Sequence, residues 1–168
     1  MQEHYAVTNY MSTATQRLKA DGFKITENVT YKNQTFRCVA KRTRWQLEYG
    51  GFAEFFFIFV EFSDISRNSL WEFSAEALDY AKKFRSIPLP RGLFESVICF
   101  PVAIVYNIDS AVAEAARSEA PPKHWAAHEM PVICDLKAKR LYYLEKTPYW
   151  GSLYWDRFRE IVRTVLSP

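Results

Sequence analysis

The sequence predicts an α+β fold in which a mixed, mainly antiparallel sheet of about five to six strands is flanked by helices. Residues 52–62 read FAEFFFIFVEF, and their interior, Phe55 to Val60, is apolar at both alternating positions, which is typical of a central strand covered on both faces. Residues 96–106 form a second apolar run, and amphipathic helical patterns alternate with these strands. The predicted order is α-β-β-β-α-β, followed by a C-terminal hairpin and a helix.

Length and composition indicate a single folded domain over residues 1–168. Hydrophobic residues make up 49% of the chain and aromatic residues 17%, which supplies a large core and excludes intrinsic disorder. The formal net charge is +3. This excess is smaller than the concentrated positive charge of a dedicated nucleic-acid-binding protein.

The cysteines and the N-terminal residues predict a cytoplasmic location. Cys38, Cys99 and Cys134 are far apart in apolar runs, which indicates buried free thiols in a reducing compartment. The first residues have neither a basic start nor an apolar segment of the kind found in secretory signals. No apolar run approaches the roughly 18 residues of a membrane span, so we expect no membrane contact.

The N-terminal elements are predicted as a helix and two strands. The helix covers residues 9–20, with Asn9 or Ser12 as its cap, and ends at Gly22. A glycine there followed by apolar Phe23 is typical of a Schellman stop. The two strands cover residues 23–30 and 35–43, with a turn at residues 31–34.

The hairpin at residues 45–62 is the predicted centre of the sheet. Alternating apolar residues at 45–49 form one arm, and Gly50-Gly51 form a two-residue link because glycine adopts positive φ without steric cost. A bulge near Arg42 would join the preceding strand to this arm. A buried helix is the competing interpretation of residues 52–62, but the flanking glycines favour a strand.

The second half of the chain is predicted to contain three helices and three strands. The first of these helices starts with a capping box, Ser69-Leu70-Trp71-Glu72. Pro101 predicts a bulge in strand 96–106, or two short strands in its place, because proline lacks the N–H that a strand ladder needs. The segment from His124 to Glu129 is predicted as irregular or as one helical turn. The helices cover residues 69–85, 110–119 and 152–166, and the remaining strands cover residues 131–136 and 140–145.

An acid-rich constellation makes catalysis one hypothesis. Glu129 precedes a strand that ends in Asp135-Leu136-Lys137, and carboxylates beside a lysine can hold Mg²⁺ and activate water in metal-dependent nucleases. We expect Glu54 and Glu61 to reach water at the two ends of strand 52–62, from where one of them could join the same cleft. The competing interpretation is a pair of charged residues at a hairpin turn.

The element order α-β-β-β-α-β over about the first 106 residues resembles the restriction-endonuclease-like core. That family carries its acid-x-lysine triplet on the third strand of the meander. Residues 52–62 contain no lysine here, and Asp135-Leu136-Lys137 lies outside the matching region. The resemblance implies a metal-dependent phosphodiester hydrolase or a catalytically degenerate relative that binds nucleic acid.

His124 and His128 suggest a metal site as a separate hypothesis. Histidines four residues apart share one helical face, and Glu129 could serve as a third ligand. The competing interpretation is a loop whose histidines form hydrogen bonds. Cofactors are otherwise unknown, and Mg²⁺ or Zn²⁺ is expected only if a metal-dependent hypothesis holds.

Basic and aromatic residues suggest two binding surfaces. Arg37, Lys41, Arg42 and Arg44 lie in one strand beside Trp45 and could hold a nucleic-acid backbone or an acidic partner. Strand alternation would place Arg37 and Lys41 on one face and Arg42 and Arg44 on the other, unless a bulge unites them. The competing interpretation is a solvated strand face.

An aromatic set could form a contact surface or line a pocket, because Tyr and Trp are enriched at binding surfaces. Its candidates are Trp125, Tyr149 and Trp150. Together these features favour a domain that acts through binding, with homo-oligomers possible. The alternative is the phosphodiester hydrolase or its nucleic-acid-binding relative.

Overall fold

The computed structural model describes residues 2–46, 51–87, 95–149 and 152–168. It contains four helices and seven strands within these ranges. In chain order they are α1 Gln2–Ala20, β1 Lys24–Tyr31, β2 Gln34–Gln46, β3 Gly51–Glu61, α2 Arg67–Lys83, β4 Glu95–Val105, α3 Ser110–Ser118, β5 Ala127–Glu129, β6 Val132–Asp135, β7 Arg140–Tyr142 and α4 Ser152–Leu166.

The strands form one mixed sheet in the order β1-β2-β3-β4-β6-β7, with β5 also paired to β4. Strands β1, β2 and β3 make an antiparallel meander, and β4 runs parallel to β3. Strands β5 and β6 run parallel to β4, and β7 returns antiparallel to β6. The predicted α+β fold with a mixed sheet flanked by helices is confirmed, with β5 as an additional strand.

Strand β3 lies at the centre of two cores. Phe55, Phe57 and Phe59 face the core that contains α1 and α4. Phe56 and Ile58 face the core that contains α2 and α3. Residues that alternate along a strand point to opposite faces, so a strand buried on both sides must be apolar at both positions. The double coverage predicted for the interior of this strand, Phe55 to Val60, is confirmed.

Helix α1 ends as predicted but starts earlier. The amide of Gly22 donates to the carbonyl of Lys19 at 3.0 Å, and the amide of Phe23 donates to Leu18 at 2.9 Å. These two bonds are the Schellman pattern, and Gly22 has a φ of 83°. The helix begins at Gln2 rather than Asn9 because its first turns are also amphipathic, and Val7 is buried in the core.

Helix α2 is capped by Ser66 instead of Ser69. The side chain of Ser66 accepts from the Ser69 amide at 3.1 Å, and the Ser69 hydroxyl accepts from the Ser66 amide at 2.9 Å. Ser66 and Ser69 therefore form a capping box three residues before the predicted one. A serine can replace the usual glutamate because its hydroxyl also reaches the cap amide.

The two predicted bulges are absent from β2 and β4. The register of β2 with β3 is continuous through Arg42, from Cys38 to Gln46. Pro101 stays in register with Ile58, and on the other side of β4 it lies between the end of β5 and the start of β6. The missing N–H of proline is tolerated because the neighbouring ladder is itself interrupted at this point.

Two further predictions about the hairpin and β5 are corrected. Gly51 belongs to β3 and pairs with Gln46, so Gly51 is part of the strand rather than of a free link. The rest of that connection, residues 47–50, lies outside the described residues. Residues 127–129 form β5 rather than a helical turn, because they pair in parallel with β4.

Along the described chain, no helix combines the length and apolarity that a membrane span requires.

Candidate functional site: an arginine groove between helices α1 and α4

A groove of about 1110 Å³ lies where the end of α1 and one side of α4 meet strands β2 and β3. Its floor is apolar and includes Phe55, Ile161 and Val165. Charged side chains surround this floor, with two more positive than negative charges. The positive residues are Arg17, Arg42, Arg44, Arg157 and Arg163, and the negative residues are Asp21, Asp156 and Glu160.

Strand alternation brings two of the predicted basic residues into this groove. Arg42 and Arg44 lie two positions apart in β2, so both point to the face that carries α1 and α4. Lys41 points to the opposite face, where it donates to the carbonyl of Phe84 at 2.6 Å. Arg37 lies near the other end of the strand, where it pairs with Glu61. The four residues therefore do not form one cluster.

Arg42 is the most enclosed arginine of β2. Its guanidinium carbon lies 4.5 Å from the centre of the Phe23 ring, and Nη1 lies 2.8 Å from Asp21 Oδ2. Nη1 also donates to the main-chain carbonyl of Asp21. Its Nε is buried and has no hydrogen-bond partner among the described residues. Burial lowers the pKa of Arg42, and the bond to Asp21 opposes this shift.

The other arginines approach the groove from different elements. Arg44 Nη2 lies 3.2 Å from Asp21 Oδ1, so Asp21 bridges two arginines. Arg17 donates to the carbonyl of Ser167 at 2.6 Å and thereby ties α1 to the end of α4. Arg163 is exposed on α4, and its guanidinium has no ion pair or hydrogen bond within the described ranges. Arg44 and Arg163 can therefore contact a ligand from opposite sides.

The three predicted catalytic residues are not brought together. Glu129 pairs in register with Cys99 of β4, whereas Asp135 pairs with Val105. Six residues along a strand correspond to about 20 Å. Asp135 accepts a hydrogen bond from the amide of Ala138 at 2.9 Å, which stabilises the turn that also carries the exposed Lys137.

Glu129 is buried and forms a small polar cluster of its own. Its Oε1 lies 2.9 Å from Nε2 of His124, and its Oε2 accepts from the hydroxyl of Ser74. The carboxylate lies in the middle of this Ser-Glu-His arrangement. A catalytic triad needs the histidine between the other two groups, so this cluster has the wrong order for nucleophile activation.

Of the three predicted metal ligands, His124 and Glu129 lie together and His128 lies apart from them. His128 and Glu129 are adjacent in a strand rather than on one helical face, so they point to opposite sides of the sheet. The ring of His128 lies 5.7 Å from the rings of Tyr154 and Phe158. Burial, and then the charge of His124, lower the pKa of His128. Within the described ranges, no three His, Cys, Asp or Glu side chains are grouped to hold a metal ion.

Glu54 corrects another expectation. Its exposed fraction is 0%, although we expected it to reach water. Both carboxylate oxygens accept from the amide of Ser86, at 2.7 and 2.8 Å, and Thr43 donates to one of them at 3.1 Å. Lys41 lies 3.5 Å away. Glu54 therefore connects β2 and β3 to the segment after α2.

The predicted aromatic residues lie on the surface where they are described. Trp125 is 79% exposed, and Tyr149 is fully exposed. Trp150 lies outside the described residues. These exposed rings remain candidates for contact with another molecule.

Several groove residues had no signal in the sequence. Asp21 was visible only as the residue before the helix-ending glycine, and its contact with Arg42 and Arg44 depends on how α1 packs on β2. Arg157 and Arg163 lie on the polar side of a predicted helix, where charged residues are expected without any function. Comparisons with known protein families, curated proteins and solved structures find no match to this chain.

Proposed function

We propose that this protein acts by binding, and that the arginine groove holds an acidic segment of a partner protein. The observation that carries the proposal is the convergence of Arg42, Arg44 and Arg163 around an apolar floor. Arginine presents a planar set of donors that suits carboxylates and is enriched at protein interfaces. The partly exposed Ile161 of the floor would contact hydrophobic side chains of the same segment.

Several features of the groove favour a protein partner over nucleic acid. Asp21, Asp156 and Glu160 line it together with the arginines and would repel a continuous phosphate backbone. Phe55 is its aromatic lining residue and is only 2% exposed, so it offers no stacking surface for bases. A short segment with a few carboxylates fits this mixed pattern of charge.

The hydrolase alternative draws no support from the acidic residues. Glu129 and Asp135 lie about 20 Å apart along the sheet, judged from the strand register. The oxygens of Glu129 and Glu54 already accept hydrogen bonds from the protein. Hydrogen bonds within the protein therefore engage these carboxylates, as is typical of carboxylates with a structural role.

A peptide-binding measurement tests the proposal. Fluorescence anisotropy would be recorded with a labelled peptide of alternating glutamate and leucine, and with an oligothymidylate of equal charge. We expect the peptide to bind more tightly. Arg44→Gln and Arg163→Gln should each weaken peptide binding about three- to tenfold, the range for a partly exposed charge contact.

Arg140→Gln is the matched control. Arg140 is an exposed arginine on β7, outside the groove, and its replacement changes the net charge equally. The proposal is contradicted if all three variants bind the peptide like the wild-type protein. Tighter binding of oligothymidylate, with a steep dependence on salt, would favour the nucleic-acid alternative.

Self-association is a second form of binding that the exposed aromatic residues support. Trp125 and Tyr149 offer large apolar surfaces to a second copy of the chain. Light scattering should then report a mass above the monomer that falls in a Trp125→Ser variant. A monomer at high protein concentration would contradict this idea.

The proposal also includes a cytoplasmic location, supported by three buried and unpaired cysteines.

A further inference from the structure

One carboxylate of the chain itself already lies between two arginines of the groove. Asp21 contacts two arginines that lie two positions apart in β2, with Oδ2 2.8 Å from Arg42 and Oδ1 3.2 Å from Arg44. Each oxygen therefore has its own guanidinium. This arrangement is a complete oxyanion site in which the occupant belongs to the same chain.

The position of Asp21 is unusual for an acidic residue. It follows the last residue of α1, where the helix dipole is negative and disfavours a carboxylate. The two arginines compensate for this cost. Because Asp21 and Arg44 are each more than 40% exposed, at 44% and 43%, water and solutes can reach their ion pair.

The surroundings hold Arg42 in place whether or not the Asp21 carboxylate is engaged. Arg42 stacks on Phe23 and also donates to the main-chain carbonyl of Asp21, a contact that does not involve the carboxylate. Its aliphatic part lies near Gly22, whose added Cβ would be 3.7 Å from Arg42 Cδ. The Arg42 half of the site therefore remains preorganised when the carboxylate leaves, which lowers the cost of binding another anion.

We infer that Arg42 and Arg44 form a carboxylate-binding subsite, and that Asp21 occupies it until a glutamate or aspartate of the protein partner takes its place. Asp21 then acts as an internal competitor that weakens binding and sets a minimum acidity for the partner. The inference rests on the proposed function of the groove and adds to it the subsite and its competitor.

The test compares Asp21→Asn with the wild-type protein by anisotropy with the glutamate–leucine peptide. Asparagine keeps the size of the side chain and removes its charge. We expect binding to be tighter by about threefold or more, because the competitor is lost. Asp64→Asn, an exposed acid outside the groove, changes the net charge equally and should bind like the wild type.

Two more variants guard against indirect effects. Asp21→Glu keeps the negative charge and should retain affinity close to that of the wild type. Adding Arg44→Gln to Asp21→Asn should abolish the gain, since half of the subsite is then missing. Thermal melting of each variant confirms that the chain is folded.

The outcomes separate this inference from the proposed function. If the wild type binds and Asp21→Asn binds no more tightly than Asp64→Asn, the role of Asp21 as a competitor is disproved and the proposed function stands. If only Asp21→Asn binds, the role of Asp21 as a competitor is supported. If neither the wild type nor Asp21→Asn binds the peptide, both proposals are wrong.

Discussion

Glu54 and Glu129 are ionisable side chains that lie inside the protein, and each is surrounded by hydrogen-bond donors. Glu54 receives the amide of Ser86, and Glu129 receives the hydroxyl of Ser74 and faces His124. A buried carboxylate is tolerated only when such partners replace water. At the scale of single residues, these hydrogen bonds allow two carboxylates to be buried inside the fold.

His128 leads to a prediction about pH. Burial lowers its pKa below the ordinary 6.5, so at mildly acidic pH the unfolded chain binds a proton that the folded protein resists. The contribution of His128 to the free energy of unfolding is therefore fully present above pH 6.5. It decreases as the pH falls from 6.5 toward the lowered pKa of His128 in the folded protein. A His128→Phe variant should lose less stability between pH 7 and pH 5 than the wild type.

Urea unfolding at pH 7, 6 and 5 measures this difference. The control is His4→Gln, because His4 is an exposed histidine on α1 that lies outside the core. Equal losses of stability in the wild type and in His128→Phe would show that burial of His128 is not the cause.

Helix ends illustrate what decides individual elements. The chain offers Ser66 and Ser69 as competing caps for α2, and either can be followed by helical residues. Ser66 is the cap in the structure. Its hydroxyl accepts a hydrogen bond from the Ser69 amide, and the Ser69 hydroxyl accepts one from the Ser66 amide. The sequence predicted the helix and its class of cap but placed the start two residues late.

Replacing Ser66 by alanine should destabilise the protein by about 1 kcal/mol, because the first turn of α2 loses the acceptor for an unpaired amide. Urea unfolding monitored by circular dichroism measures the change. Ser63→Ala is the control, since Ser63 is exposed and lies before the helix. An effect of Ser66→Ala no larger than that of Ser63→Ala would argue against the cap.

At the scale of the whole molecule, β3 links the two cores into one unit. Phe57 lies 4.6 Å from the ring of Phe100 and 5.5 Å from that of Phe23 in one core. Phe56, its neighbour in the chain, is buried in the other. Because one strand supports both cores, damage to either should weaken the entire fold.

Phe57→Ala and Phe56→Ala should each destabilise the protein by about 3–5 kcal/mol, the usual cost of removing a buried aromatic side chain. Unfolding should remain a single transition when followed by tryptophan fluorescence and by circular dichroism. Phe84→Ala is the control, because Phe84 is partly exposed and should cost much less. Two separate transitions would contradict a single cooperative domain.

The sequence by itself determined the elements whose signals are local. The apolar run of β3, the stripe of α4 and the glycine stop after α1 depend on residues only a few positions apart, so periodicity and turn chemistry reveal them. The split of Lys41 from Arg42 and Arg44 is equally local, because strand alternation decides it.

Only the tertiary structure determined that β5 forms, that Pro101 is tolerated within β4, and that the arginines meet in one groove. Strand β5 has three residues and exists because β4 offers a partner. Asp21 reaches Arg42 and Arg44 across the packing of α1 on β2, and Arg163 arrives from the opposite end of the chain. Such contacts join residues far apart in sequence, and no local pattern records which of them will meet.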